Sequence, residues 1–161
     1  MESKLITMLN TQIQKEFESA YIYLDFAAFF DFRGLSGFAN WYKIQAKEEE
    51  EHAMKLYDYL CSVDKPIELL PIPAPRKKFE TIKQVLEAGL EHEKYVSSLI
   101  ESLYFQAEEE KNLFAKNFLE WFVEEQHEEE ENARELITKY ELFGSSPEGL
   151  YALNKELAKR E

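Results

Sequence analysis

An acidic segment at residues 47–52 lies within the apolar stripe of a helix, and this restricts the folds open to the chain. Apolar side chains around the segment recur at steps of three and four, and Glu49 and His52 fall on the same face. Such steps direct one face of an α-helix at the core. The pattern therefore predicts that a carboxylate and an imidazole enter the core together, one turn apart. Because an unpaired buried carboxylate is costly, other segments must supply its partners.

The other helical segments also carry polar residues in the middle of their apolar stripes. Glycine and proline divide the chain into four long segments of helical period, at about residues 2–31, 35–61, 79–110 and 112–143. The residues that interrupt the four stripes are Glu16, Glu49, His52, Glu93, Gln126 and Glu129. Mid-helix residues meet at one level of a bundle whichever way each helix runs. We therefore expect an all-α four-helix bundle, a single domain over residues 1–161, with one shared polar site.

The lengths of the connections predict the topology of this bundle. The turns near Gly34 and Asn112 are short, which makes helices one and two antiparallel, and likewise helices three and four. The proline-rich segment 62–78 can extend over ~50 Å at ~3.3 Å per residue, whereas a helix of this size is ~40–45 Å long. We expect this segment to be a long crossover between helices two and three, which leaves those two helices parallel.

A short fifth helix is expected at the C-terminal end of the chain. Ser146 is a good N-cap, and Pro147 suits the first helical position. The apolar stripe that follows covers only about twelve residues, and so short a helix is marginal alone. It must therefore pack on the end of the bundle or on a neighbouring subunit, and the sequence leaves both open.

Charge and cysteine content exclude several classes of protein. The net charge of −13 argues against a nucleic-acid partner. The single cysteine, Cys61, rules out an internal disulfide and paired-cysteine metal sites, and it is expected to pack against the core. The chain has no run of ~18 apolar residues and begins with no charged-then-apolar leader. We expect a soluble, cytoplasmic protein with no membrane partner.

The shared polar site is typical of a metal centre. Four carboxylates in one cavity cannot all stay ionised without cations, and two divalent ions would balance them. Oxygen ligands with one imidazole suit iron, manganese or zinc, and Glu49, which faces two helices, is placed to bridge two ions. A second pair of the same spacing, Glu124 and His127, lies off the apolar stripe, as does His92. These two histidines are expected not to bind the metal.

At these residues the chain resembles the bacterial non-haem ferritins, over nearly all of its length. The most specific matches are Lys15-Glu16-Phe17, residues 47–52, residues 117–130 and Gly149-Leu150-Tyr151. The resemblance implies a ferroxidase that oxidises Fe(II) with O2 or H2O2 and stores ferric oxyhydroxide in a 24-subunit shell, with the fifth helix at the four-fold axis. It implies no haem, because bacterioferritins have a methionine directly after the bridging glutamate, where this chain has Glu50.

The resemblance also implies roles for individual residues. The ligands implied for the first iron are Glu16, Glu49 and His52, with Glu49 as the bridge. The ligands implied for the second iron are Glu93 and Glu129, with Gln126 beside them. The residues implied for a third iron site are Glu48, Glu125, Glu128 and Glu129. Tyr23, two turns after Glu16, matches a family tyrosine thought to supply an electron.

Two other classes of function stay open from the residues themselves. A discrete di-metal oxidoreductase acting on a small substrate would need the same site but would store nothing. A structural bundle with incidental carboxylates would bind no metal. Metal content and native mass separate these alternatives from an iron-storage protein.

Overall fold

The computed structural model describes residues 3–161, and this part of the chain contains five α-helices and no β-strand. The helices are α1 (Lys4–Phe32), α2 (Ser36–Ser62), α3 (Ile82–Glu109), α4 (Leu113–Phe143) and α5 (Pro147–Leu157). This confirms the predicted all-α class with four long helices and a short fifth one. None of the helices in the described residues is long and apolar enough to cross a membrane.

Side-chain caps determine where most of these helices begin. The N-cap residues that accept a hydrogen bond from their own helix are Ser3, Thr81, Asn112 and Ser146. The apolar pattern predicts that the first helix starts near Glu2, which lies outside the described residues. It also predicts that the third starts near residue 79, but a capping box between Thr81 and Gln84 places the first helical residue at Ile82.

The direction of each helix follows from contacts between helix ends. The backbone N–H of Leu5, at the start of α1, donates to the Glu110 carboxylate at the end of α3 (2.8 Å). At the other end of α1, the ring of Phe26 packs on Phe79, just before α3, with centroids 5.5 Å apart. Helices α1 and α3 are therefore antiparallel. Since a short turn at Gly34 (φ +75°) makes α1 and α2 antiparallel as well, α2 and α3 run parallel.

The connection between α2 and α3 crosses the bundle along α1, as predicted. Near its beginning, the Asn10 side chain donates to the carbonyl of Pro66 (3.2 Å) and accepts from the N–H of Glu68 (2.8 Å). Near its end, Phe79 reaches Phe26, four and a half turns further along α1. The crossover thus spans most of the length of the helix that it follows.

Two hydrophobic clusters fill the bundle, and a polar layer separates them. In α1, the first cluster ends at Ile13 and the second begins at Ala20. Each of the other three long helices shows the same division between the two clusters. The buried polar residues between the clusters include Glu16, Glu49, His52, Glu93, Gln126 and Glu129. The prediction that mid-helix polar residues meet at one level of the bundle is confirmed.

Cys61 is exposed, so the expectation that it packs against the core is wrong. The buried stripe at the end of α2 passes through Tyr59 and Leu60. At about 100° per residue, Cys61 lies about 200° around the helix from Tyr59, on the solvent side.

Helix α5 packs on the end of the same chain's bundle and caps α2. The N-cap residue of α2, Leu35, makes no side-chain cap. In its place the Asn154 side-chain oxygen of α5 accepts from the N–H groups of Gly37 (2.8 Å) and Phe38 (3.1 Å). A Cβ on Gly37 would lie 1.7 Å from the Asn154 carbonyl oxygen, so only glycine permits this close approach. Leu153 is buried beside the cap.

We predict that Asn154→Ala loosens this contact, because two N–H groups at the start of α2 lose their acceptor. Loss of a cap costs about 1 kcal/mol, which corresponds to about fivefold faster amide exchange in the segment that contains Gly37 and Phe38. Hydrogen exchange followed by mass spectrometry measures the change. Lys155→Ala, an exposed neighbour on α5, is the control. Equal exchange in the two variants would show that Asn154 does not hold α5 on the bundle.

Candidate metal centre

The six residues that interrupt the apolar stripes come together in the polar layer of the bundle. Glu16 and Glu49 are fully buried, and the other four, His52, Glu93, Gln126 and Glu129, are at most 4% exposed. All four long helices contribute, because each places a polar side chain where its apolar face meets the centre. A carboxylate-rich site is thus enclosed within the hydrophobic core.

Two groups of ligand-type side chains share Glu49. One group is Glu16, Glu49 and His52; the other is Glu49, Glu93 and Glu129. Within each group, one ligand atom from every residue lies within 4.8 Å of the others. Glu49 therefore stands between two positions, each of which three side chains could coordinate.

Three buried atoms in the first group have no hydrogen-bond partner among the described residues: Glu16 Oε2, Glu49 Oε2 and His52 Nδ1. The imidazole nitrogen is 3.4 Å from the Glu49 oxygen and 3.9 Å from the Glu16 oxygen. Buried polar atoms normally have a partner, and a divalent cation would satisfy all three at once. Two carboxylates and an imidazole suit iron, manganese or zinc.

Burial makes the ionised form of these carboxyl groups unfavourable without a cation. Burial, and then the neighbouring Glu49 carboxylate, raises the pKa of Glu16 well above its usual range. Burial and the charge of Glu93 likewise raise the pKa of Glu49. Burial raises the pKa of Glu93 to about 7, and burial together with Glu93 raises that of Glu129 to about 9. A bound cation opposes each of these shifts.

Hydrogen-bond donors orient the carboxylates, and sequence reasoning identified only some of them. The Tyr23 hydroxyl donates to Glu93 Oε1, and the Gln126 amide donates to Glu93 Oε2 (3.1 Å). Gln126 thus faces a ligand-type carboxylate, where the resemblance places it beside the second iron. Tyr23 is fully inside the bundle, and burial raises the pKa of its phenol, so the hydroxyl keeps its proton.

Two glutamines that the sequence analysis gave no role also hold carboxylates of the site. The Gln12 amide donates to Glu16 Oε1 (3.2 Å), and the Gln45 amide donates to Glu49 Oε1 (3.1 Å) and to Glu129 Oε2. A sequence signal was present, because each glutamine stands four residues before its glutamate, on the same helix face. These donors leave Oε2 of Glu16 and Glu49 free for a ligand role.

The residues implied for a third iron site are only partly brought together. Glu125 and Glu129 form a group with His52, and Glu125 Oε1 is 3.5 Å from His52 Nε2. Glu48 instead pairs with Arg160 (3.1 Å), and Glu128 is exposed and belongs to none of the groups found in residues 3–161. Of the four residues expected from the resemblance, Glu125 and Glu129 thus lie in one ligand-type group, and that group also contains His52.

His92 and His127, which the sequence predicts not to bind the metal, lie outside these groups. The His127 side chain is 79% exposed, with Nε2 3.8 Å from Glu131. The His92 ring hydrogen-bonds the Ser19 hydroxyl at 2.7 Å, and burial lowers its pKa to about 4, which keeps it neutral. The position of each histidine relative to the apolar stripe predicted this outcome.

The chain is similar in sequence and in fold to proteins that are named ferritins. A family model for the ferritin-like domain matches residues 6–143. A bacterial non-heme ferritin of Staphylococcus saprophyticus is 37% identical over 99% of this chain and 96% of its own length. A probable bacterial non-heme ferritin-like protein of Haemophilus influenzae is 36% identical over 98% and 95%.

Among solved structures, the open pore ferritin of Archaeoglobus fulgidus superposes with a TM-score of 0.96 and 37% identity, covering 100% of this chain and 98% of that one. A humanized archaeal ferritin superposes with the same TM-score at 39% identity. With a matching family model, full-length relatives and a common fold, the chain belongs to the ferritin family.

Proposed function

We propose that this protein oxidises Fe(II) at the polar layer of its bundle and stores the product as ferric oxyhydroxide inside a shell of its own copies. The ferritin family and fold support iron storage. The observation that carries the oxidation step is Glu49, which belongs to two ligand groups and has a buried oxygen without a hydrogen-bond partner. Such a carboxylate suits the bridging position between two ions.

In the proposed reaction, Fe(II) is the substrate, and the carboxylates give up their protons to receive it. The ligands of the first ion are Glu16, Glu49 and His52, and those of the second are Glu49, Glu93 and Glu129. Each Fe(II) loses one electron. One O2 accepts both electrons together with two protons and becomes hydrogen peroxide, or one H2O2 accepts them and becomes two molecules of water. The third group, His52, Glu125 and Glu129, is the proposed additional iron position.

Other residues of the chain orient the proposed ligands and exclude water from the polar layer. Gln12, Gln45 and Gln126 hold the carboxylates in place, and Tyr23 anchors Glu93. The Tyr23 hydroxyl contacts the proposed ligand Glu93, and Tyr23 is the side chain placed to supply a further electron to the site. If Tyr23, which loses its phenol proton, and an Fe(II) ion at the additional position each supply one electron, O2 takes four electrons and four protons in all and becomes two molecules of water. The two hydrophobic clusters on either side exclude water from the layer.

Self-association into a 24-subunit shell is part of this proposal. Large apolar side chains remain exposed near the ends of the helices, and they include Phe32 (91% exposed), Leu113 (77%), Leu142 (67%) and Phe105 (63%). Interfaces between subunits bury apolar side chains at their centre, so these residues are the proposed contacts between copies of the chain. Since the chain's single cysteine is exposed and has no disulfide partner, a reducing compartment suits it, and we place the protein in the cytoplasm.

We predict that Glu49→Ala and His52→Ala abolish rapid Fe(II) oxidation, because each removes a ligand of the first ion. The initial rate falls on the order of 100-fold or more. Stopped-flow absorbance after aerobic addition of Fe(II) measures this rate. Glu124 and His127 have the same spacing on α4 but are exposed. We therefore expect Glu124→Ala and His127→Ala to keep the wild-type rate. A fast phase that survives in His52→Ala would rule out the assigned site.

We predict that the metal-free protein loses stability as pH rises from about 5 to about 9. The folded-state pKa values of Glu93 (about 7) and Glu129 (about 9) exceed that of an unfolded carboxyl group. The folded state therefore binds more protons than the unfolded state, and its advantage is lost as pH passes those values. Over this pH range, the melting temperature of Glu129→Gln falls less than that of wild type. Glu128 is an exposed neighbour, and the melting temperature of Glu128→Gln falls as much as that of wild type.

We predict that the purified protein has the mass of a 24-subunit assembly and retains iron after Fe(II) is added in air. Light scattering gives the mass, and iron analysis after gel filtration gives the load for each subunit. More than a few iron atoms per subunit in the shell fraction supports storage. A monomer or dimer that holds only two metal ions would instead support a discrete di-metal oxidoreductase.

A further inference from the structure

The residues after α5 fold back over α2 and place Arg160 beside the metal centre. The Asn40 side chain of α2 donates to the carbonyls of Leu157 (3.2 Å), Ala158 (3.3 Å) and Arg160 (3.1 Å). These bonds hold the backbone against the bundle. The Arg160 side chain then runs along α2 and is only 14% exposed.

The Arg160 guanidinium is fixed from two directions. It lies over the Trp41 ring, 4.1 Å from the ring centroid, and its Nη1 donates to the Trp41 carbonyl (3.0 Å). Its Nη2 donates both to Gln45 Oε1 (3.0 Å) and to Glu48 Oε2 (3.1 Å). Stacking and a planar set of donors are the properties that distinguish arginine from lysine.

The side chain of Gln45 connects Arg160 to the polar layer through hydrogen bonds. Its side-chain oxygen accepts from Arg160, and its amide nitrogen donates to Glu49 and Glu129. A guanidinium can only donate, and the carboxylates of Glu49 and Glu129, once a bound cation keeps them ionised, can only accept. The amide between them therefore has a single orientation that satisfies both sides.

We propose that Arg160 is a positioning residue for the metal centre and acts through Gln45. By holding the amide oxygen, Arg160 keeps the amide nitrogen directed at Glu49 and Glu129, the carboxylates that belong to the group shared with Glu93. Its bond to Glu48 also neutralises an acidic side chain close to Glu129. This inference rests on the proposed function, because it requires that metal ions bind at Glu49 and Glu129. It links the docking of the C-terminal residues to the geometry of a site on α2 and α4.

Co(II) is the probe, because it binds oxygen and nitrogen ligands, is not oxidised under these conditions, and reports its coordination through its visible absorption. Calorimetry and the Co(II) spectrum are recorded for metal-free wild type, Arg160→Ala, Arg160→Lys and Lys159→Ala. Removal of a residue that orients a ligand lowers metal affinity on the order of 10-fold. We expect this loss and a changed spectrum in Arg160→Ala, a smaller loss in Arg160→Lys, and wild-type behaviour in the exposed control Lys159→Ala.

A double-mutant cycle tests whether Arg160 acts through Gln45. Gln45→Ala lowers Co(II) affinity, and adding Arg160→Ala to it causes no further loss if the amide is the intermediary. Losses that multiply in the double variant, or an Arg160→Ala protein that binds Co(II) like Lys159→Ala, would overturn the proposal. If wild type binds no Co(II), or Glu49→Ala binds it equally well, the proposed metal centre fails and this inference fails with it.

Discussion

The burial of four carboxyl groups in one layer is the constraint on which the rest of the structure depends. Glu16, Glu49, Glu93 and Glu129 lie between two hydrophobic clusters, where an ionised carboxylate is costly. Only cations, donors or protons can offset that cost, and burial does raise the pKa of all four groups. In this fold the ionised form of the four carboxyl groups is therefore unfavourable unless a cation balances it.

The donors around the carboxylates turn this unfavourable layer into an ordered one. Gln12, Gln45, Gln126 and Tyr23 each donate to at least one carboxylate oxygen. Oε2 of Glu16 and of Glu49 nevertheless lacks a donor. The protein thus orients these carboxylates while it leaves one oxygen of Glu16 and one of Glu49 without a donor, an arrangement that would suit a metal-binding site.

Periodicity was sufficient to identify the inward-facing polar residues, because a step of three or four residues fixes a helix face whatever the tertiary structure is. It separated His52 from His127, and it put Glu93 rather than His92 on the core face. The wrong expectation for Cys61 did not come from periodicity, since the helical period puts Cys61 about 200° around α2 from Tyr59, on the solvent side. Periodicity could not show that Glu48 pairs with Arg160, 112 residues further along the chain.

The sequence by itself determined the all-α class, the crossover and the residues of the polar layer, because local spacing and connection length fix these features. Only the tertiary structure decided that α5 caps α2 through Asn154, that His52 joins Glu125 and Glu129, and that Arg160 reaches Gln45. Each of these contacts joins side chains from distant segments. Their geometry depends on how the helices pack, and no local pattern records it.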